Sequence, residues 1–159
     1  MKVYLDDRLD DSPVNSLRLK RRLSKVLKSL CPAGVSIGVL LAGDSELQAL
    51  NLQFRGKDCP TNVLAFPFRG PAPGDEPAPA AVTLPPSMNN YLGDVALSME
   101  TVTREASQAG TDVGELMYFY LIHGILHLLG HDHELGQAEA EAQDRETERL
   151  MKLIPHTLG

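Results

Sequence analysis

The sequence predicts an α+β domain: a small mixed sheet of about four strands packed with helices, one of them buried and bearing histidines. Three observations point there. Short β-like runs alternate with helical patterns through the first hundred residues, and helical segments then follow one another in series. One of these, ELMYFYLIHGILHLL, is apolar nearly all round. A helix of that kind has to be buried in a soluble protein, and the mixed order of elements suits strands and helices sharing one core. The 159 residues suit a single domain spanning 1–159, interrupted by a proline-rich loop at about 69–90.

In chain order, Val3 to Leu5 reads as a first strand. Ser12-Pro13 offers a cap and a first-turn proline for a helix. Leu19, Leu23, Val26, Leu27 and Leu30 recur at helical spacing and give that helix a core face. Cys31-Pro32-Ala33-Gly34 stops it, and Val35 to Ala42 reads as a buried strand. Asp44 can cap the next helix, whose stripe is Leu47, Leu50 and Phe54. The following stretch, RGKDCPTNVLAFPF, has loop character until Asn62 to Phe66, a strand closed by Pro67. Residues 69–90 hold six of the eleven prolines, and proline neither donates to a ladder nor continues a helix. A loop of that length is as consistent with a binding lid as with simple disorder. Tyr91 to Ser98 resumes as a strand and Met99 to Ala109 as a helix. Asp112 and Glu115 have the spacing of a capping box before the apolar helix, and Gly130 supplies its left-handed end. Glu134 to Leu153 reads as a last, charged amphipathic helix.

Composition narrows the class. A chain 43% apolar and 23% charged is an ordinary globular one. The uncharged apolar run from Val35 to Gly43 is far too short to span a bilayer, and the acidic start MKVYLDDRLDD lacks the apolar stretch of a signal peptide. Two isolated cysteines, Cys31 and Cys59, fit a reducing cytoplasm and make neither a disulfide framework nor a CxxC site. The net charge of −6 argues against nucleic acid as a partner, but RLKRRLSKVLK, Arg18 to Lys28, carries six bases and no acid. That helix face is either an RNA backbone contact or simply solvated.

Four of the five histidines fall in HGILHLLGHDH, residues 123–133. His123 and His127 lie one turn apart on one helix face, and Gly130 lets the chain double back so that His133 can join them. Burying several imidazoles without a shared purpose is costly. Three neutral imidazoles suit one Zn²⁺ per chain and leave a fourth position open for water. His131 would be a fourth ligand rather than one of the three, and it would close that position. Asp132 is better cast as the partner of a histidine N–H. The spacing is that of the zinc proteases with HExxHxxGxxH, but Gly124 stands where their general base would be. Zinc can nevertheless bring the pKa of its own water to about 7.

HGILHLLGHDH, NLQFRGKDCPTNVLAFPF and YLGDVALS together resemble the YbeY family of bacterial endoribonucleases. The resemblance covers the chain from about Val35 to Met151. It implies a single α+β domain with one zinc, held by His123, His127 and His133. It implies that Arg55 is the motif arginine important for activity, while Asp58, Thr61 and Asp94 fall on motif positions of supporting role. Asn62 stands where the family usually has Asp, and Ala65 where it usually has Ser. The activity implied is that of a cytoplasmic, single-strand-preferring, metal-dependent endoribonuclease. It would act on ribosomal RNA of the small subunit, in 16S 3′-end maturation and ribosome quality control, alongside ribosome-associated proteins and away from membranes. Physically, a cation and a guanidinium are what a phosphodiester transition state calls for. A non-catalytic, zinc-stabilised ribosome-assembly factor is the alternative, and a zinc amide or peptide hydrolase a more distant one. With aromatics at 5% and no tryptophan, base stacking cannot be a broad mechanism.

Overall fold

The computed structural model describes residues 1–68, 90–131 and 136–159. Its elements are β1 (Lys2–Asp7), α1 (Ser16–Leu30), β2 (Ser36–Ala42), α2 (Asp44–Arg55), β3 (Val63–Pro67), β4 (Tyr91–Ser98), α3 (Met99–Ala109), α4 (Val113–Leu128) and α5 (Gln137–Met151). The four strands form one sheet in the order β1-β2-β4-β3. β2 pairs in parallel with both β1 and β4, and β3 runs antiparallel along the other side of β4. The fold is α+β, as the sequence predicts. The proline-rich loop lies almost wholly outside the described residues.

β2 is central, and all seven of its residues are buried. That is the expected fate of a short apolar run flanked by parallel neighbours and covered on both faces. Its alternation divides the core. Ile37, Val39 and Leu41 join α1 and α4 in the larger cluster, with Leu19, Leu23, Leu121 and Ile125. Leu40 and Ala42 face the other way, in a smaller cluster with Leu47 of α2, Leu64 and Ala96. Helix α2 thus covers one face of the sheet, and α4, which packs on β3, β4, α3 and α5, covers the other. β3 is an edge strand, which is where proline is tolerated: Pro67 lies within it, opposite Gly93, rather than beyond its end.

Several element ends differ from the sequence expectation. Helix α1 is capped by Asn15, whose side chain accepts from the Arg18 N–H, and not by Ser12, which instead accepts from the Val14 N–H. Val14 is buried, so the chain turns into the core before the helix starts. Asp44 is the first residue of α2, not its cap. Its carboxylate accepts from the hydroxyls of Ser98 and Thr101, and Glu100 accepts from the Asp44 N–H. The N-terminal ends of α2 and α3 therefore satisfy each other. Helix α5 starts at Gln137 and ends at Met151, inside the span expected for it.

The basic helix also needs correction. Arg18, Arg21, Lys25 and Lys28 are exposed, but Arg22 is only 7% exposed. Its guanidinium donates to the Tyr118 hydroxyl, the Thr157 carbonyl and the Thr157 hydroxyl, and lies 5.5 Å from the centre of the Tyr118 ring. Arg22 pins the C-terminal residues across α1 and α4 and does not belong to the solvent-facing basic stripe.

Candidate metal and phosphate site

Helix α4 is fixed in place before it presents any chemistry. Asp112 caps it by accepting from the N–H groups of Gly114 and Glu115. Tyr118, Leu121, Ile122, Ile125 and Leu126 bury most of its circumference. Gly124 makes the close approach to the sheet possible. A Cβ there would lie 2.6 Å from Cγ1 of buried Val95 and 3.1 Å from its Cγ2. The position that carries the base in the zinc proteases therefore points into the packed sheet, with no room for a side chain.

His123 and His127 emerge from the remaining stripe of α4. Both line a cavity of about 660 Å³ closed by the end of α2 and by β3. Arg55 lines the same cavity. It is the last residue of α2 and not part of a loop, as the sequence reading had it. Gly56, with φ +68, ends the helix immediately after it. The positive end of the side chain is thereby carried on a rigid element. Thr61 and Asn62 contribute further polar groups to the wall.

The ring of His127 has a defined orientation. Its Nδ1 is 3.0 Å from the carbonyl oxygen of His131. A carbonyl can only accept, so Nδ1 is the donor in this contact, and it is the neutral ring's Nε2 that can serve as a metal ligand. Gly130, with φ +99, turns the chain back and makes that carbonyl available, and the His131 N–H returns to the Leu126 carbonyl. The main chain of His131 thus orients His127. The His123 ring stacks on Phe119, with centroids 6.3 Å apart. His133 and Asp132 lie outside the described residues. Among the described residues, no three His, Cys, Asp or Glu side chains gather to hold a metal ion. The donor set fits a divalent ion in its chemistry: two imidazoles one turn apart, one with its tautomer fixed.

Two supporting groups went unread in the sequence. Gln143 of α5 is fully buried, and its amide donates to the His123 carbonyl at 3.2 Å, while Thr147 donates to the Gln143 carbonyl. Their signal was present as a buried stripe, Gln143, Thr147, Leu150 and Met151, at helical spacing among charges. The second is Glu105 of α3. It accepts the Tyr120 hydroxyl at 2.6 Å and the Asn62 amide at 3.4 Å, bracing two residues of the cavity wall. Burial, and then that hydrogen bond, push the Tyr120 phenol from 10 up to about 12. Below pH 10 this contribution to stability is whole; as pH rises towards 12 the unfolded chain ionises first and the contribution is lost. Tyr120→Phe should therefore flatten the alkaline fall in melting temperature over that window, measured by calorimetry. An unchanged slope would show that Tyr120 is not its source.

The other motif residues sit elsewhere. Asp58 is exposed and accepts from Gln48 at 2.9 Å. Asp94 is 2% exposed and receives the Tyr91 hydroxyl beside Gly38, where a Cβ would strike both side chains. These are devices of the fold rather than of the cavity. Among the described residues, no helix is long and apolar enough to cross a membrane.

The family model described as endoribonuclease YbeY matches residues 4–154. A relative from Chelativorans sp. (strain BNC1), named Endoribonuclease YbeY, is 42% identical over 122 residues, covering 77% of this chain and 68% of its own. One of the same name from Chloroflexus aurantiacus (strain J-10-fl) is 36% identical over 155 residues, covering 97% and 94%. The solution structure of TM1509 from Thermotoga maritima shares the fold, with a TM-score of 0.64 at 24% identity over 95% of this chain and 87% of that one. With a family match that leaves out only the chain's two ends, this protein belongs to the endoribonuclease YbeY family.

Proposed function

We propose that the chain is a metal-dependent, single-strand-preferring endoribonuclease acting on ribosomal RNA, with 16S 3′-end maturation as its task and one zinc ion per chain. The observation that carries this reading is the meeting of Arg55 with His123 and His127 in one cavity, from opposite sides of the sheet. Phosphodiester cleavage concentrates negative charge on the phosphoryl oxygens. A guanidinium answers that charge with two parallel N–H donors, and the end of α2 places the Arg55 side chain on the cavity wall. His123 and His127, with His133 as the third ligand, would hold the ion. When bound, the ion supplies a fixed positive charge to the phosphate and an acidic site for water. The main-chain carbonyl of His131 takes the His127 Nδ1, which would leave Nε2 to hold the ion, and Gln143 steadies the helix beneath His123. Peptide hydrolysis is disfavoured by the packing at Gly124, which leaves the usual base position sterically closed.

Arg55→Ala should leave the metal content unchanged and lower cleavage of precursor 16S 3′-end fragments by about 10²–10³-fold, the usual loss for one preorganised donor to a developing anion. Arg55→Lys should recover only part, since an ammonium does not reproduce the paired donors. Metal analysis and a single-turnover cleavage assay on the same samples decide it. Undiminished cleavage by the alanine variant would remove Arg55 from the phosphate. Full metal with no cleavage of any RNA by the wild type would turn the reading towards a zinc-stabilised assembly factor.

A further inference from the structure

The eight aromatic residues are few, but the fold does not scatter them. Three of the four phenylalanines, Phe54, Phe66 and Phe119, line the cavity with Tyr120. Phe54 and Phe66 meet edge to face with centroids 5.0 Å apart, forming one wall from α2 and β3. Phe119 and Tyr120 meet at 5.8 Å on α4, where the cavity reaches round the β3 edge to the other face of the sheet. All four are half-buried, so each packs on the core while part of it faces the cavity. The core explains their presence in the fold, but not why they gather around the one cavity that also holds Arg55 and the histidines. Phe54 directly precedes Arg55, and Phe119 lies one turn before His123 on α4. Apolar flat faces and the polar groups of the cavity are thus paired on the same elements, side by side.

The geometry points to a slot for one unstacked nucleobase of an RNA strand, seated on the Phe54–Phe66 pair in the cavity while its neighbouring phosphate lies at Arg55 and towards His123 and His127. This inference rests on the nuclease reading and adds to it the part of the substrate that is recognised. Every base has a π-face, so such walls bind without demanding sequence. The volume of about 660 Å³ falls within the range of about 300–1,000 Å³ usual for small-ligand sites. A base inside a duplex is already stacked and cannot enter, so the slot provides a physical cause for single-strand preference. The Glu105 carboxylate braces Tyr120 and Asn62 and so keeps the α4 side of the cavity in place.

The test uses the metal-loaded full chain and a single-stranded oligoribonucleotide that it cleaves, remade as a set with one abasic nucleotide moved along the strand. One abasic position beside the cleaved bond should lower kcat/KM by about tenfold to a hundredfold, the range of one lost base–aromatic stack. Phe54→Leu and Phe66→Leu, made separately, should each lower kcat/KM on the intact strand and lose most of the sensitivity to that abasic position. 2-Aminopurine at the same position should be quenched on binding by wild type, in a protein with no tryptophan to interfere. RNA cleavage that tolerates an abasic nucleotide at every position would overturn the slot and leave the nuclease reading standing. Failure of the wild type to bind or cleave any RNA would overturn both. The abasic scan needs no variant, so a folding defect in Phe66→Leu does not remove the test.

Discussion

His127→Ala should emerge from purification without metal, cleave RNA at least about 10²-fold more slowly than wild type, and melt at a lower temperature. Each effect has the same origin. The imidazole is already oriented by the His131 carbonyl at 3.0 Å, so its loss removes a prearranged ligand and not a side chain that had to find its place. Metal that binds only the folded state stabilises by mass action, by about 2.7 kcal/mol at a hundred times its Kd. For a domain of this size that corresponds to about 5–10 °C in Tm. With chelator present the gap should shrink to the single hydrogen bond lost, about 1 kcal/mol. His131→Ala makes the complementary case. Only the main chain of His131 is needed to hold His127, so that variant should keep its metal. If His127→Ala binds as much metal as wild type, or if the Tm gap is the same with and without chelator, the histidine cluster is not the metal site.

That His123 and His127 share one face of α4 was legible in the sequence because it is local. Helical period and one glycine determine where His123 and His127 point, and both follow from neighbouring residues. β4 and α3 were legible for a similar reason, each being bounded by a change of hydrophobic period at Ser98-Met99. What escaped reading was non-local polar pairing. Periodicity shows which face of a helix is buried, but not that a cation at position 22 will meet a tyrosine 96 residues later. Arg22 therefore reads from sequence as one more base on a face that either contacts RNA or is solvated. Glu105 and Tyr120, Asp44 and Ser98, and Gln143 and the His123 carbonyl are pairs of the same kind. Arg55 was misplaced in a loop for a smaller reason: Gly56 falls directly after it, and a left-handed glycine marks the end of a helix without saying how far back the helix reaches. The aromatic residues show the converse. Their total is low, and only the fold reveals that half of them share one cavity.

Gly124→Glu, the substitution that would complete the protease-like motif, should not create a peptidase; it should prevent folding. Gly124→Ala isolates the first part of the penalty. A Cβ at this position presses on Val95, which is fully buried in β4 and stiff at χ1, with Val63 next to it at 3.5 Å. Overpacking of this sort costs about 1–3 kcal/mol, against which alanine regains up to about 1 kcal/mol in helix propensity. The alanine variant should thus be less stable by about 1–2 kcal/mol, with metal still bound. Beyond the alanine carbon, glutamate adds a methylene and a carboxylate crowded between α4 and the sheet. Burying an unpaired charge there costs several kcal/mol more, which together consumes most of the about 5–15 kcal/mol that holds a domain folded. Denaturant melts of the alanine variant and soluble yield of the glutamate variant provide the readings. A glutamate variant that folds with wild-type stability would mean that α4 can stand off the sheet, and that the glycine is not what seats the histidine helix against β4.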